Sequence, residues 1–112
     1  MSSFWAKRRA AVAAEEAAEA EALRARVQDI LDLTGLAPVA EQTVGTISSA
    51  QQRFLMIATA LAARPKIILL DEPAAGLVSH ERKTLADTIK AIRDRGTSVL
   101  VIEHHMALIM EV

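Results

Sequence analysis

The sequence predicts an α/β fold in which a helical N-terminal part, residues 1–65, precedes a β-α-β unit with parallel strands, residues 66–112. Three observations predict it. The stretch Lys66-Ile67-Ile68-Leu69-Leu70-Asp71-Glu72-Pro73 holds an apolar run without polar alternation, as expected of a parallel strand covered on both faces, and two acids close it. Ser98 to Ile102 is a second short apolar run, rich in Val and Ile. Between them lies one helical pattern, of the length typical of a right-handed crossover between parallel strands. Ligand sites of open α/β sheets lie beyond the carboxyl ends of such strands, so the polar residues that end both runs are the candidates for chemistry.

Taken in order, residues 4–34 are mostly strong helix formers, rich in Ala, Glu and Arg. The first half of that helix has only a weak Ala stripe and reads as solvated; in the second half Leu23, Val27, Ile30, Leu31 and Thr34 fall at one-face spacing. Gly35 stands where a left-handed cap belongs, with Pro38 just beyond. After a connector at 37–46, Ser48-Ser49-Ala50-Gln51 has the S-x-x-Q form of a capping box and opens a helix with Phe54, Ile57, Ala58 and Leu61 on its apolar face. That helix closes near Arg64-Pro65. Ala74-Ala75-Gly76-Leu77 reads as a turn, and Ser79 as the cap of a helix burying Leu85, Ile89 and Ile92 up to Gly96. Met106, Leu108, Ile109 and Met110 suggest a last helix.

Composition narrows the function classes. A hydrophobic share of 52% with 24% charged residues is that of a globular chain, not a disordered one. A net charge of −1 argues against electrostatic capture of nucleic acid, and Lys7-Arg8-Arg9 alone is too small a patch to reverse that. There is no cysteine, hence no disulfide framework and no thiolate metal site. No apolar run approaches the roughly 18 residues of a membrane span, and Glu15 and Glu16 break the only signal-like start. The expected location is the cytosol.

The two strand ends bring Asp71, Glu72 and His104 to one edge, with Glu103 as a further candidate. One acid there can hold a hydrated Mg²⁺ while its neighbour orients a water, and a histidine can bond a phosphoryl oxygen. That set suits phosphoryl transfer, where positioning and charge neutralisation do most of the catalysis. The plainer alternative is a strand end whose polar residues simply meet water. A two-histidine metal site at His104 and His105 is disfavoured, because adjacent strand residues diverge. No G-x-S-x-G elbow supports a serine hydrolase. The capped helix start at Ser48 offers exposed amides to an anion, although a capping box is most often only a cap.

In order and spacing, Ile47-Ser48-Ser49-Ala50-Gln51-Gln52-Arg53, Ala60-Leu61-Ala62-x-Arg64-Pro65-Lys66, Leu69-Leu70-Asp71-Glu72-Pro73 and Ile102-Glu103-His104 resemble the back half of an ATP-binding cassette (ABC) ATPase. Ala74-Ala75-Gly76-Leu77, Ile102-Glu103-His104-x-Met106 and Thr34-Gly35-Leu36 resemble the subgroup that powers branched-chain amino acid importers. The resemblance implies a partial P-loop NTPase fold with ATP and Mg²⁺ as cofactors. It makes Asp71 the Walker B acid that holds Mg²⁺ through water, Glu72 the general base and His104 the switch histidine. Ser48, Ser49, Ala50 and Gln51 become signature residues facing ATP on a second ATPase subunit, and Ala75 to Leu77 the D-loop region at that interface. Transmembrane permease subunits are the other implied partners, no nucleic acid is implied, and the assembled place is the inner face of the cell membrane.

Ala50 stands where the family signature has glycine, His105 where the importer subgroup has Asp, and Val78 where a polar D-loop residue is usual. No G-x-x-x-x-G-K-[ST] occurs in the 112 residues, whose glycines are Gly35, Gly45, Gly76 and Gly96. The expectation is therefore a fragment of a longer cassette, one incomplete domain, marginally stable and inactive alone. A non-catalytic interaction module and a non-functional remnant are the alternatives. The Ser98 to Ile102 strand is expected to become an apolar edge.

Overall fold

The computed structural model describes residues 3–112. Helix α1 (Phe4–Thr34) starts at Ser3, whose Oγ accepts from the Ala6 amide. It stops at Gly35, whose φ of 72° is the left-handed value a glycine adopts without a Cβ penalty. At roughly 1.5 Å per residue, 31 residues reach about 46 Å, which is most of the 71 Å long axis of the molecule. The first half is solvated, as its composition predicts. Leu23 and Val27, expected on the packed stripe, are also exposed, at 57% and 48%. Only from Ile30 onward does α1 meet the core, through Ile30, Leu31, Leu33 and Thr34, because the rest of the chain packs beside its C-terminal turns alone.

Two short 3-10 turns (Ala37–Val39 and Val44–Thr46) lead to helix α2 (Ser49–Ala62). Its start is the capping box the sequence spells: Gln51 N donates to Ser48 Oγ at 3.1 Å, and Ser48 N donates to Gln51 Oε1 at 2.9 Å. Phe54, Ile57 and Ala58 are buried and Leu61 is half-buried, as the periodicity predicts. Arg26 Nη2 donates to the Ala62 carbonyl, so α1 closes the end of α2.

Strands β1 (Ile67–Asp71) and β2 (Ser98–Ile102) pair in parallel, with Ile67 opposite Ser98 and Asp71 opposite Ile102. Helix α3 (Ser79–Asp94) connects them and buries Leu85, Ile89 and Ile92. Its N-cap is Val78, not Ser79. Val78 has no side-chain acceptor, so half of a capping box remains: Val78 N donates to Glu81 Oε1 at 2.9 Å. Arg95, just past α3, forms a two-pronged pair with Asp29 of α1 at 2.5 and 2.9 Å. Helix α4 (Met106–Glu111) lies against α3 and buries only Leu108.

The expected cover on both sheet faces is absent among the described residues. Ile68, Leu70, Val99 and Val101 face the core, whereas Ile67, Leu69, Leu100 and Ile102 are exposed at 55%, 66%, 51% and 58%. The apolar run records burial on two faces, and the described residues supply a layer for only one. Among the described residues each strand has one hydrogen-bonded neighbour, so β2 has the open edge that the sequence predicts.

Candidate functional site

Both acids stand at the carboxyl end of β1. Asp71 is its last residue, exposed, and accepts no hydrogen bond from any described side chain or amide. Glu72 N still donates to Ile102 O at 2.7 Å, but Glu72 itself takes φ 46°. A non-glycine residue rarely adopts that left-handed conformation, which costs on the order of 1 kcal/mol or more. Its effect here is geometric. The strand ends between the two acids, so Glu72 leaves the alternation that would have sent it through the sheet.

His104 arrives from the end of β2, and its Nδ1 lies 3.1 Å from Glu72 Oε1. Both side chains are largely exposed, so their pairing orients the groups more than it stabilises the fold. The His105 ring, in contrast, is half-buried, with an Nδ1 shielded from solvent and lacking a partner among the described residues. The two imidazoles occupy different surroundings, which does not suit a shared metal.

The turn after the acids is gripped from two sides. From α2, Arg53 Nη1 donates to the carbonyls of Pro73 at 2.7 Å and Ala75 at 2.6 Å. From the end of β2, Glu103 Oε2 accepts from Ala74 N at 3.0 Å, while its Oε1 accepts from the amides of His104 and His105 at 3.0 and 2.9 Å. Partial burial would raise the Glu103 carboxyl's pKa, but the amides of His105, Ala74 and His104 outweigh it and hold the group below its usual value. The sequence names both residues inside its motifs but shows neither role. Arg53 meets carbonyls 20 and 22 positions away, a distance at which no local spacing rule operates.

The second group of candidates lies apart. Ser48, Ala50 and Gln51 line a cleft of about 220 Å³ with Thr34, Phe54 and Glu81. Asp71 and Glu72 line another, of about 480 Å³, with Arg53, Met56, Leu69 and Pro73. No hydrogen bond joins the Ser48 group to the acids or His104 among the described residues; Arg53, further along α2, bonds only the turn that follows the acids. Ala50 is buried and belongs to the core cluster, so its methyl is absorbed by packing. Ser49 is exposed at the capped helix start.

No group of three or more His, Cys, Asp or Glu side chains that could cage a metal occurs among the described residues. A lone, unengaged carboxylate such as Asp71 fits Mg²⁺, which keeps most of its waters and takes one or two carboxylates beside phosphate oxygens. The exposed helix start at Ser48 likewise fits an anionic group, through the amides that the cap leaves without partners. No described helix is long and apolar enough to cross a membrane.

A sequence model of the ABC transporter family matches residues 4–75. The high-affinity branched-chain amino acid transport ATP-binding protein BraF of Pseudomonas aeruginosa is 41% identical over 83 residues, which are 73% of this chain and 32% of BraF. The methionine import ATP-binding protein MetN of Chromohalobacter salexigens is 35% identical over 91 residues, 80% of this chain and 26% of MetN. Among solved structures, the dimeric form of the bacterial ABC transporter cassette MJ0796 superposes with a TM-score of 0.67 at 29% identity, covering 79% of this chain and 39% of that one. The chain thus spans less than two-fifths of the length of each.

Proposed function

The chain belongs to the ABC transporter family and carries part of its P-loop NTPase fold, and from that premise we propose that it is the signature-to-switch-histidine portion of an importer's ATP-binding subunit. The observation that carries this reading is the edge where Asp71, Glu72 and His104 meet, with Nδ1 of the histidine 3.1 Å from the second acid. Bound Mg²⁺ would supply charge neutralisation on phosphoryl oxygens, with Asp71 holding it through water. Glu72 takes the proton from an attacking water, as a carboxylate within hydrogen-bond reach can. His104 fixes the orientation of Glu72 and presents its ring to a phosphoryl oxygen.

Ser48, Ser49, Ala50 and Gln51 serve a different nucleotide, bound by a second ATPase subunit. Their cleft is separate from that of the acids, which supports this division, and MJ0796 has a dimeric structure. Branched-chain amino acids are the proposed cargo class, on the likeness to BraF and the run from Ala74 to Leu77; the methionine importer MetN is similar over much of the same stretch. The partners are that second subunit and transmembrane permease subunits, with the assembly at the inner face of the cell membrane. By division of labour, residues 1–65 form a helical part bearing the signature and residues 66–112 the hydrolytic edge.

No phosphate loop lies in these 112 residues, so amides and a lysine for the β- and γ-phosphates are lacking. The purified chain should therefore show no Mg²⁺-dependent ATP turnover above background. Turnover that Glu72→Gln abolishes would overturn that inactivity. The exposed apolar sheet face supports a second reading, a non-catalytic module that docks on a complete cassette or a membrane subunit; co-purification with either partner tests it.

A further inference from the structure

Three amides from two segments converge on the Glu103 carboxylate: Ala74 from the turn after the acids, and His104 and His105 from its own strand end. The geometry points to Glu103 as a positioning residue that locks the turn after Glu72 to the backbone of His104, so that the acid and the histidine stay in register. The Glu103 carboxylate oxygens are engaged by backbone amides. The inference rests on the reading of Glu72 and His104 as the hydrolytic pair and adds to it the group that holds the pair together.

The chemistry of a carboxylate explains why this position needs Glu. Its two oxygens provide about four acceptor sites, enough for one amide on one side and two on the other. A Gln of the same shape keeps one acceptor oxygen and turns an NH₂ group toward either Ala74 N or the two histidine amides. One side of the bridge then becomes donor against donor. Asp is one methylene shorter and cannot span both segments from the same backbone. Arg53 holds the same turn from the opposite side through the carbonyls of Pro73 and Ala75, so Glu103 is the only link found among the described residues between that turn and the histidine segment other than the ladder and the Glu72–His104 contact itself.

The test uses the uniformly labelled 112-residue chain without nucleotide, so its outcome is independent of whether ATP binds. Through-hydrogen-bond couplings from the amides of Ala74, His104 and His105 to the Glu103 carboxylate carbon are expected in the wild type. In Glu103→Gln, Ala74 amide exchange should speed up about tenfold or more, the scale of a lost charged hydrogen bond. The ¹⁵N signal of His104 Nδ1 should at the same time lose the shift that marks its contact with Glu72. A role confined to bracing the turn would change the Ala74 amide and leave the His104 ring signal as it is, and that result would overturn the proposal. So would the absence of the couplings in the wild-type chain, a measurement that needs no variant to fold.

Discussion

At Glu72 a left-handed φ of 46° ends β1 one residue after Asp71, and the carboxylate that results meets His104 at 3.1 Å. The neighbouring Glu103 shows how a single side chain can carry a pH response. Its folded pKa lies below its ordinary value of 4.5, so the folded chain binds fewer protons there than the unfolded one. Its contribution is present at neutral pH and above the unfolded value, and is lost as pH falls through the folded value. Asp29, held low by its hydrogen bonds from Arg95, has the same sign. Urea unfolding at a series of pH values should therefore show stability falling below about pH 4.5. The gap between wild type and Glu103→Gln should narrow over the same window; a gap independent of pH would show that the charge on Glu103 contributes nothing. Asp71, Glu72 and His104 were legible as residues because an apolar run ending in acids is a local pattern. The part played by Glu103 was not, because it depends on an amide 29 positions away.

Among the elements, α2 and α3 follow their sequence patterns most closely: the capping box at Ser48 and Gln51 closes as written, and Leu85, Ile89 and Ile92 are buried. The stripe of α1 includes Leu23 and Val27 by spacing but not by packing, since periodicity shows that a face exists but not how far its partner extends. This gives a paired expectation. Leu85→Ala removes a fully buried side chain and should cost about 2–5 kcal/mol. Leu23→Ala, on the projecting part of α1, should stay within about 0.5 kcal/mol. Denaturant midpoints of the two variants check it, and equal losses would place α1 against a surface this structure does not have. The cap of α3 lies one residue before the one its residue types predict: Ser79 is a good cap by type, whereas the extended backbone falls at Val78.

For the molecule as a whole, the open sheet face dominates. Ile67, Leu69, Leu100 and Ile102 form an apolar surface beside Met56, which is 74% exposed, and among the described residues both strands have a free edge. Such surfaces mark interaction sites or association hazards. Sedimentation velocity should show concentration-dependent association of the wild-type chain. Leu69 and Leu100 face each other across the ladder, so Leu69→Glu with Leu100→Lys places opposite charges side by side and should leave a monomer. A double variant that associates as the wild type does would place the contact elsewhere.

The sequence by itself determined the order of the four α-helices and two strands of the described residues, the parallel β-α-β unit, the caps at Gly35 and Ser48, and the motif set that places the chain in its family. These are written along the chain itself, in periodicity, propensity and the order and spacing of motifs. Only the tertiary structure decided which of the apolar faces are covered, that Glu72 turns to meet His104, and that Arg53 and Glu103 hold the intervening turn. Those features depend on which surfaces are present to pack and on polar partners distant in the chain. A linear pattern records that a residue is apolar or charged; it does not record what stands opposite.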